Sequence, residues 1–155
     1  MKSHFLYPSQ WVVFKTETVV STVLGSCVAV VLFDPTLKVG GMNHYLLPEP
    51  LSMDPENPRY GTIAIAQLVA EMKRSGVRLE SLQAKVFGGG NVIASTMSGP
   101  SIGDLNIAVA EKALAQLRIP IVEKNVGGSR ARSIKFNSAT FDVIHLFVEN
   151  SNKVA

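Results

Sequence analysis

The sequence holds 155 residues, of which 46% are hydrophobic and 17% are charged. This composition excludes an intrinsically disordered chain, and the length suits a single domain that spans residues 1–155. The formal net charge of +3 is scattered along the chain, so no dense basic face for nucleic acid is expected. One cysteine, Cys27, excludes an intrachain disulfide and any metal site built from several thiolates.

The most apolar stretch, residues 18–33, is shorter than the ~20 residues that a membrane-spanning helix needs. Serine, threonine and glycine interrupt it, and Lys15 and Glu17 precede it, which does not fit a signal peptide. We therefore expect a cytoplasmic protein without membrane insertion.

Short β-branched or aromatic segments bounded by turn-forming residues predict seven strands. They cover residues 11–14, 27–33, 39–46, 83–87, 121–125, 132–136 and 141–148. The second is almost continuously apolar, as in a strand buried on both faces. Four prolines predict a surface loop at residues 47–59, placed where it could shape access to a site.

Apolar residues at helical spacing predict helices at residues 62–75 and 104–118. Gly76 is expected to end the first helix, Asp104 to cap the second, and Pro120 to stop it. Because strands outnumber helices and do not alternate with them, we expect an α+β layered sandwich with mixed sheets and two main helices.

Cys27 follows Gly25 and Ser26, which permit a tight turn at the mouth of a buried strand. A thiol there could reach solvent beside the backbone N–H groups of Gly25 and Ser26, as a nucleophile with an oxyanion hole requires. The alternative is a small buried side chain without chemistry, which is the commoner fate of a free cysteine.

A thiol nucleophile needs a base, and three histidines are present. His4 lies in an N-terminal stretch that is expected to fray, and His145 lies among apolar strand residues as a packed histidine. His44 differs, because antiparallel pairing of residues 27–33 with 39–46 would bring it close to Cys27. A structural or exposed His44 is the alternative.

A hydroxyl could orient the imidazole of His44, and Ser21 and Thr22 are the local candidates. Asp34 is a poorer one, since it lies at the far end of the strand. The histidine and a hydroxyl would complete a hydrolase-type triad with Cys27.

Two glycine clusters remain. The cluster at residues 88–90 lacks the lysine of a phosphate-binding loop, so we expect it to turn the chain or to approach the site closely. The second is followed by three cations, Arg130, Arg132 and Lys135, which form either a solvated strand edge or a docking surface for an acidic partner.

Five motifs together resemble the chemoreceptor glutamine deamidase family CheD. They are LGSCVAV at residues 24–30, GGMNHYLLP at 40–48, AKVFGGG at 84–90, IGDLN at 102–106 and GGSRAR at 127–132. The resemblance covers nearly the whole chain, with the motifs in the family's order. It implies a cysteine-hydrolase fold in which Cys27 is the nucleophile and His44 the base. The family's third member is typically a threonine six positions before the cysteine; here Ser21 takes that position, with Thr22 beside it.

The resemblance further implies hydrolysis of selected glutamines on methyl-accepting chemotaxis receptors, with glutamyl methyl esters as a plausible side substrate. No metal or organic cofactor is required, and binding to the CheC phosphatase is implied. The main alternative is a non-catalytic module that binds CheC or receptor helices, and we expect thiol reactivity to discriminate, because a nucleophile would be accessible with a low pKa. A small nucleic-acid-binding protein is the weakest interpretation, since aromatic residues make up only 7%.

Overall fold

The computed structural model describes residues 1–50, 55–93 and 98–149. Within these ranges the chain forms nine strands and two α-helices. In chain order they are β1 (Lys2–Phe5), β2 (Trp11–Phe14), β3 (Thr18–Leu24), β4 (Val28–Asp34), β5 (Val39–Asn43), α1 (Gly61–Arg74), β6 (Gln83–Gly88), α2 (Ile102–Gln116), β7 (Ile121–Val126), β8 (Arg132–Asn137) and β9 (Val143–Phe147). A short 3-10 turn, Leu79–Ser81, precedes β6.

The strands form two sheets, one ordered β1-β3-β8-β9 and the other β2-β5-β4-β6-β7. Each sheet contains one parallel pair, β1 with β3 and β6 with β7, and is otherwise antiparallel. Both helices pack on one face of the five-stranded sheet, and the four-stranded sheet covers its other face. The predicted α+β layered sandwich with mixed sheets and two helices is confirmed.

Strand β4 lies at the centre of this sandwich and is buried along its whole length. Val28, Val30 and Leu32 pack towards the helices, whereas Ala29 and Val31 pack towards the four-stranded sheet. Burial of such a valine or leucine side chain contributes roughly 1.5–3 kcal/mol, so β4 anchors both layers. The segment that carries Cys27 therefore leads into the most constrained strand of the fold.

All seven predicted strands are present, with ends that shift by up to three residues, but β1 and β3 were not predicted. In β3, Thr18 and Thr22 face the core while Val19 and Val23 face outward, so polarity does not alternate with burial. The expected fraying at the N-terminus is wrong, because β1 pairs with β3 and the ring of His4 packs edge-on to Phe14.

The helices match their predicted spans with small corrections. Gly76 follows the end of α1 with a φ of 94°, the left-handed conformation expected of a terminating glycine. Helix α2 begins two residues earlier than predicted, since its cap is Ser101 rather than Asp104. Asp104 instead accepts from the Ser101 N–H and completes a reciprocal capping box.

The described part of the loop at residues 47–59 forms neither helix nor strand, as predicted, while residues 51–54 lie outside the described ranges. Its two ends meet, because Leu47 forms a parallel bridge with Tyr60. In the part of the chain that the structure describes, no helix is long and apolar enough to cross a membrane.

Candidate active site

The pairing of β4 with β5 determines where Cys27 and His44 lie. The two strands are antiparallel, and a bridge between Val28 and Tyr45 continues their register past the end of β5. In this register Cys27 and His44 occupy diagonal positions on one face of the sheet, where Cα atoms stand about 7–8 Å apart. The predicted hairpin is thus present, and it brings both side chains to the same buried face, each 1% exposed.

Thr22 fixes the protonation pattern of the His44 ring. Its hydroxyl donates to the carbonyl oxygen of Leu6 at 2.7 Å, and its oxygen lies 2.8 Å from Nδ1 of His44. A hydroxyl has only one proton to donate, so Thr22 must accept from an Nδ1–H group. The neutral ring therefore carries its lone pair on Nε2, which is buried and has no hydrogen-bond partner within the described ranges.

Ser21 is the other hydroxyl that the sequence left open. It follows the alternation of β3 and faces the side opposite to Thr22, where it pairs in register with Lys135 of β8. The structure thus brings Thr22, and not Ser21, to the imidazole. Because the residue six positions before Cys27 is Ser21, this contact departs by one position from the family pattern.

Burial sets the ionisation of the two central groups. It raises the pKa of the Cys27 thiol to about 12 and lowers the pKa of the His44 imidazole to about 4. Both groups are therefore neutral near pH 7, as a thiol and an imidazole rather than as an ion pair. The accessible, low-pKa thiol that would mark a nucleophile is not seen, because the side chain of Cys27 is almost completely buried. Thiol reactivity therefore does not separate the enzyme from the non-catalytic module.

The glycine cluster after β6 holds the turn that carries the thiol. Gly89 N–H donates to the carbonyl of Cys27 at 2.8 Å, and Gly90 N–H donates to the carbonyl of Gly25 at 2.9 Å. A Cβ atom on Gly88 would stand 2.3 Å from the Cys27 carbonyl oxygen, and its φ is 108°. Only glycine fits there, which agrees with the prediction that this cluster approaches the site closely.

Free backbone donors accompany the thiol. The N–H groups of Gly25, Ser26 and Cys27 have no acceptor among the described residues. A pocket of about 460 Å³ opens at this turn, and the residues that line it are Ser9, Ser26, Cys27, Leu46, Leu47, Arg59 and Ile102. Unpaired N–H groups beside a nucleophile are suited to binding a developing oxyanion.

Asn106 is a site residue that the sequence analysis did not single out. Its side-chain Nδ2 donates to the backbone carbonyls of Ser26 and Leu46, both at 2.9 Å, and its backbone carbonyl accepts from the Tyr45 hydroxyl at 2.6 Å. The amide therefore ties α2 to the two segments that carry the thiol and the imidazole. Asn106 lies at helical spacing with the buried residues Gly103, Ala110 and Leu114, and a polar residue in such a row is the signal by which the sequence could have revealed it.

The three cations, which the sequence left as either a solvated strand edge or a docking surface, do not all lie on one face of the sheet. Arg132 is 3% exposed, and its guanidinium donates to the Asn125 side chain and the Gly127 carbonyl, both at 2.7 Å. Burial lowers the pKa of Arg132. The hydrogen bonds of its guanidinium join β8 to the end of β7 and the loop that follows it. Arg130 is exposed and, like Arg132, lies over the ring of Phe147 and lines a pocket of about 410 Å³ beside it, whereas Lys135 projects from the opposite face of β8. A docking role for these cations stays a prediction.

The remaining histidine, His145, lies in β9 at partial burial, with its ring 6.4 Å from that of Phe87 and 6.0 Å from that of Phe147. This placement agrees with a packed histidine. Neither it nor His4 contacts the Thr22 hydroxyl, which is shared by Leu6 and His44.

The sequence is similar to known proteins along most of its length. A family model described as CheD chemotactic sensory transduction matches residues 46–145. A probable chemoreceptor glutamine deamidase CheD 1 of Anaeromyxobacter dehalogenans is 44% identical over 133 residues, which cover 86% of this chain and 77% of that relative. A probable chemoreceptor glutamine deamidase CheD of Sulfurimonas denitrificans is 37% identical over 148 residues, or 95% of each chain.

Among solved structures, a Neisseria meningitidis protein of family model DUF152 matches with a TM-score of 0.50 at 14% sequence identity. The match covers 83% of this chain and 63% of the Neisseria chain, and at this identity it supports the fold alone. The family model and the relatives carry the assignment: the chain belongs to the CheD family.

Proposed function

We propose that this chain is a protein-glutamine amidohydrolase, which converts glutamine side chains of methyl-accepting chemotaxis receptors to glutamate with release of ammonia. The names of its relatives, probable chemoreceptor glutamine deamidases, support the reaction and the substrate class. One structural observation carries the mechanism. Thr22 holds His44 in the tautomer whose Nε2 is free to accept a proton, on the same face of the sheet as Cys27.

In the first half of the reaction, the Cys27 thiol and Nε2 of His44, which are not hydrogen-bonded in the resting structure, come into contact, and the proton passes to Nε2 as the sulfur attacks the carboxamide carbon. Transfer accompanies attack in this proposal, since burial raises the pKa of the thiol and lowers that of the imidazole and so disfavours a separate thiolate–imidazolium pair. The carbonyl oxygen becomes an oxyanion, which the N–H groups of Ser26 and Cys27 stabilise; one such donor contributes roughly 3 kcal/mol.

The imidazolium then protonates the leaving nitrogen, the carbon–nitrogen bond breaks, and ammonia departs from a thioester. The low pKa of His44 makes its protonated form a strong acid for this step. In the second half, His44 accepts a proton from water, the oxygen attacks the thioester, and Cys27 recovers its proton as glutamate is released. The overall change is glutamine and water to glutamate and ammonia, so the reaction consumes no other reagent. A glutamyl methyl ester could be cleaved by the same steps, with methanol leaving instead.

A cytoplasmic location is part of this proposal, because the protein would have to reach the cytoplasmic segments of such receptors. Binding to the CheC phosphatase, which the family resemblance implies, stays a prediction. A non-catalytic module that binds CheC or receptor helices remains the alternative to the enzyme.

The test is ammonia release from receptor cytoplasmic fragments by the wild type and by three variants. Cys27→Ala and His44→Gln should release no ammonia above the background without enzyme. Thr22→Val should retain a reduced rate, because it removes the orienting hydroxyl but neither reacting group. Circular dichroism would confirm that each variant is folded. Full activity in folded Cys27→Ala would exclude the mechanism.

A further inference from the structure

Arg59 gives the pocket at Cys27 a charge that the proposed chemistry does not use. Among the described residues that line this pocket, it is the single charged side chain; the others are apolar, hydroxyl or thiol groups. The target carboxamide is neutral and reacts with Cys27, so it has no need of a cation at the pocket mouth.

The backbone of Arg59 is held firmly against the segment that follows His44. Its carbonyl accepts from the N–H groups of Leu46 and Leu47, at 2.8 and 3.1 Å, and its own N–H donates to Asn57 Oδ1 at 2.9 Å. The next residue, Tyr60, is buried, and its ring lies 6.0 Å from the guanidinium carbon of Arg59. Because the backbone of Arg59 is held in place, its guanidinium can reach only the region around the pocket.

The guanidinium is also available for a partner. Five ion pairs are formed by the described residues, between Glu71 and Arg74, Arg78 and Glu80, Lys85 and Glu123, Glu111 and Lys124, and Arg130 and Glu149. Arg59 is in none of them, and its side chain is exposed. An exposed arginine is often merely solvated, but this one is fixed at the rim of the pocket that contains the nucleophile.

We infer that Arg59 is a specificity-determining residue, which selects glutamines that have a carboxylate side chain beside them on the receptor surface. The guanidinium pairs with this carboxylate while the carboxamide enters the pocket, and the planar fork favours a two-point hydrogen bond. This inference rests on the proposed function, since it names the substrate class of that same site.

One consequence concerns neighbouring target sites. Deamidation turns a neutral glutamine into a glutamate, so the first product supplies the carboxylate that Arg59 recognises for a second glutamine beside it. Deamidation of such a pair should then proceed faster at the second step than at the first.

The test uses a receptor cytoplasmic fragment with one mapped target glutamine. On a receptor helix, the residues about three or four positions from that glutamine share its helix face. Three forms of the fragment carry Glu, Ala or Lys at such a position, and ammonia release is measured with wild type, Arg59→Gln, Arg59→Lys and Arg59→Glu. Arg78→Gln is the matched control, because it removes an equal charge from an exposed arginine that does not line the pocket.

Wild type and Arg78→Gln should prefer the Glu form over the Ala form by about fivefold in kcat/KM, the size of an exposed ion pair. Arg59→Gln should lose this preference, Arg59→Lys should keep part of it, and Arg59→Glu should prefer the Lys form. High salt should weaken the wild-type preference.

Equal rates on the three forms with wild type, or an unchanged preference in Arg59→Gln, would overturn the inference and leave the deamidase intact. No ammonia release from any receptor fragment by wild type would overturn the proposed function, and this inference with it.

Discussion

The burial of His44 predicts that the protein loses stability as the pH falls from 6.5 to about 4. The ordinary pKa of histidine is 6.5, and burial lowers the pKa of His44 in the folded chain to about 4. Between these values the unfolded chain binds a proton that the folded chain does not, so acidification favours unfolding. The effect is absent above pH 6.5 and complete below pH 4. A difference of about 2.5 pKa units corresponds to about 3 kcal/mol in the free energy of unfolding.

Urea unfolding across this pH range measures the effect, in wild type and in His44→Gln. The glutamine amide can still donate to Thr22 but does not titrate, while the carboxylates of the protein titrate in both proteins. The wild type should therefore lose about 3 kcal/mol more than the variant between neutral pH and pH 4. Equal losses would show that His44 titrates normally in the folded protein, and would refute the inference that it is a buried neutral base.

Three further predictions concern the site. Thr22→Val should lower kcat at least tenfold, because a positioned general base contributes roughly 10²–10⁴-fold to the rate. Ser21→Ala should behave like wild type, and similar losses in both variants would contradict the role of Thr22. Gly88→Ala should lower the melting temperature more than Gly76→Ala, because both have positive φ but a Cβ atom on Gly76 meets open space; equal shifts would argue against a close contact with Cys27. Alkylation of Cys27 by iodoacetamide near neutral pH should be at least about 100-fold slower than that of free cysteine, and a rate plateau near neutral pH would contradict the raised pKa.

Much of the fold follows from local sequence, and the exceptions have physical causes. The helices and most strands are marked by apolar spacing and by turn residues. Strand β3 was not predicted because its inward side chains include Thr18 and Thr22, while valines face outward. A threonine can face the core when its hydroxyl finds a partner there, and for Thr22 that partner is the Leu6 carbonyl on a distant segment.

The site was predictable where it depends on one hairpin and not where it depends on long-range contacts. Cys27 and His44 lie across a single antiparallel pair, so their proximity follows from the turn between them. The choice between Ser21 and Thr22 depends on which face of an unpredicted strand meets the core. The buried placement of Arg132 depends on acceptors in a neighbouring strand and loop, which spacing alone does not reveal.

The most direct test of the proposed function is mass spectrometry of receptor cytoplasmic fragments incubated with wild type or with Cys27→Ala. Hydrolysis of one carboxamide to a carboxylate by the Cys27 nucleophile adds about one dalton per site, and peptide mapping then identifies the glutamine. We predict this gain with wild type alone. No gain with either protein, on receptors from the same cell, would contradict the deamidase and favour a binding module; a gain with both would exclude Cys27 as the nucleophile.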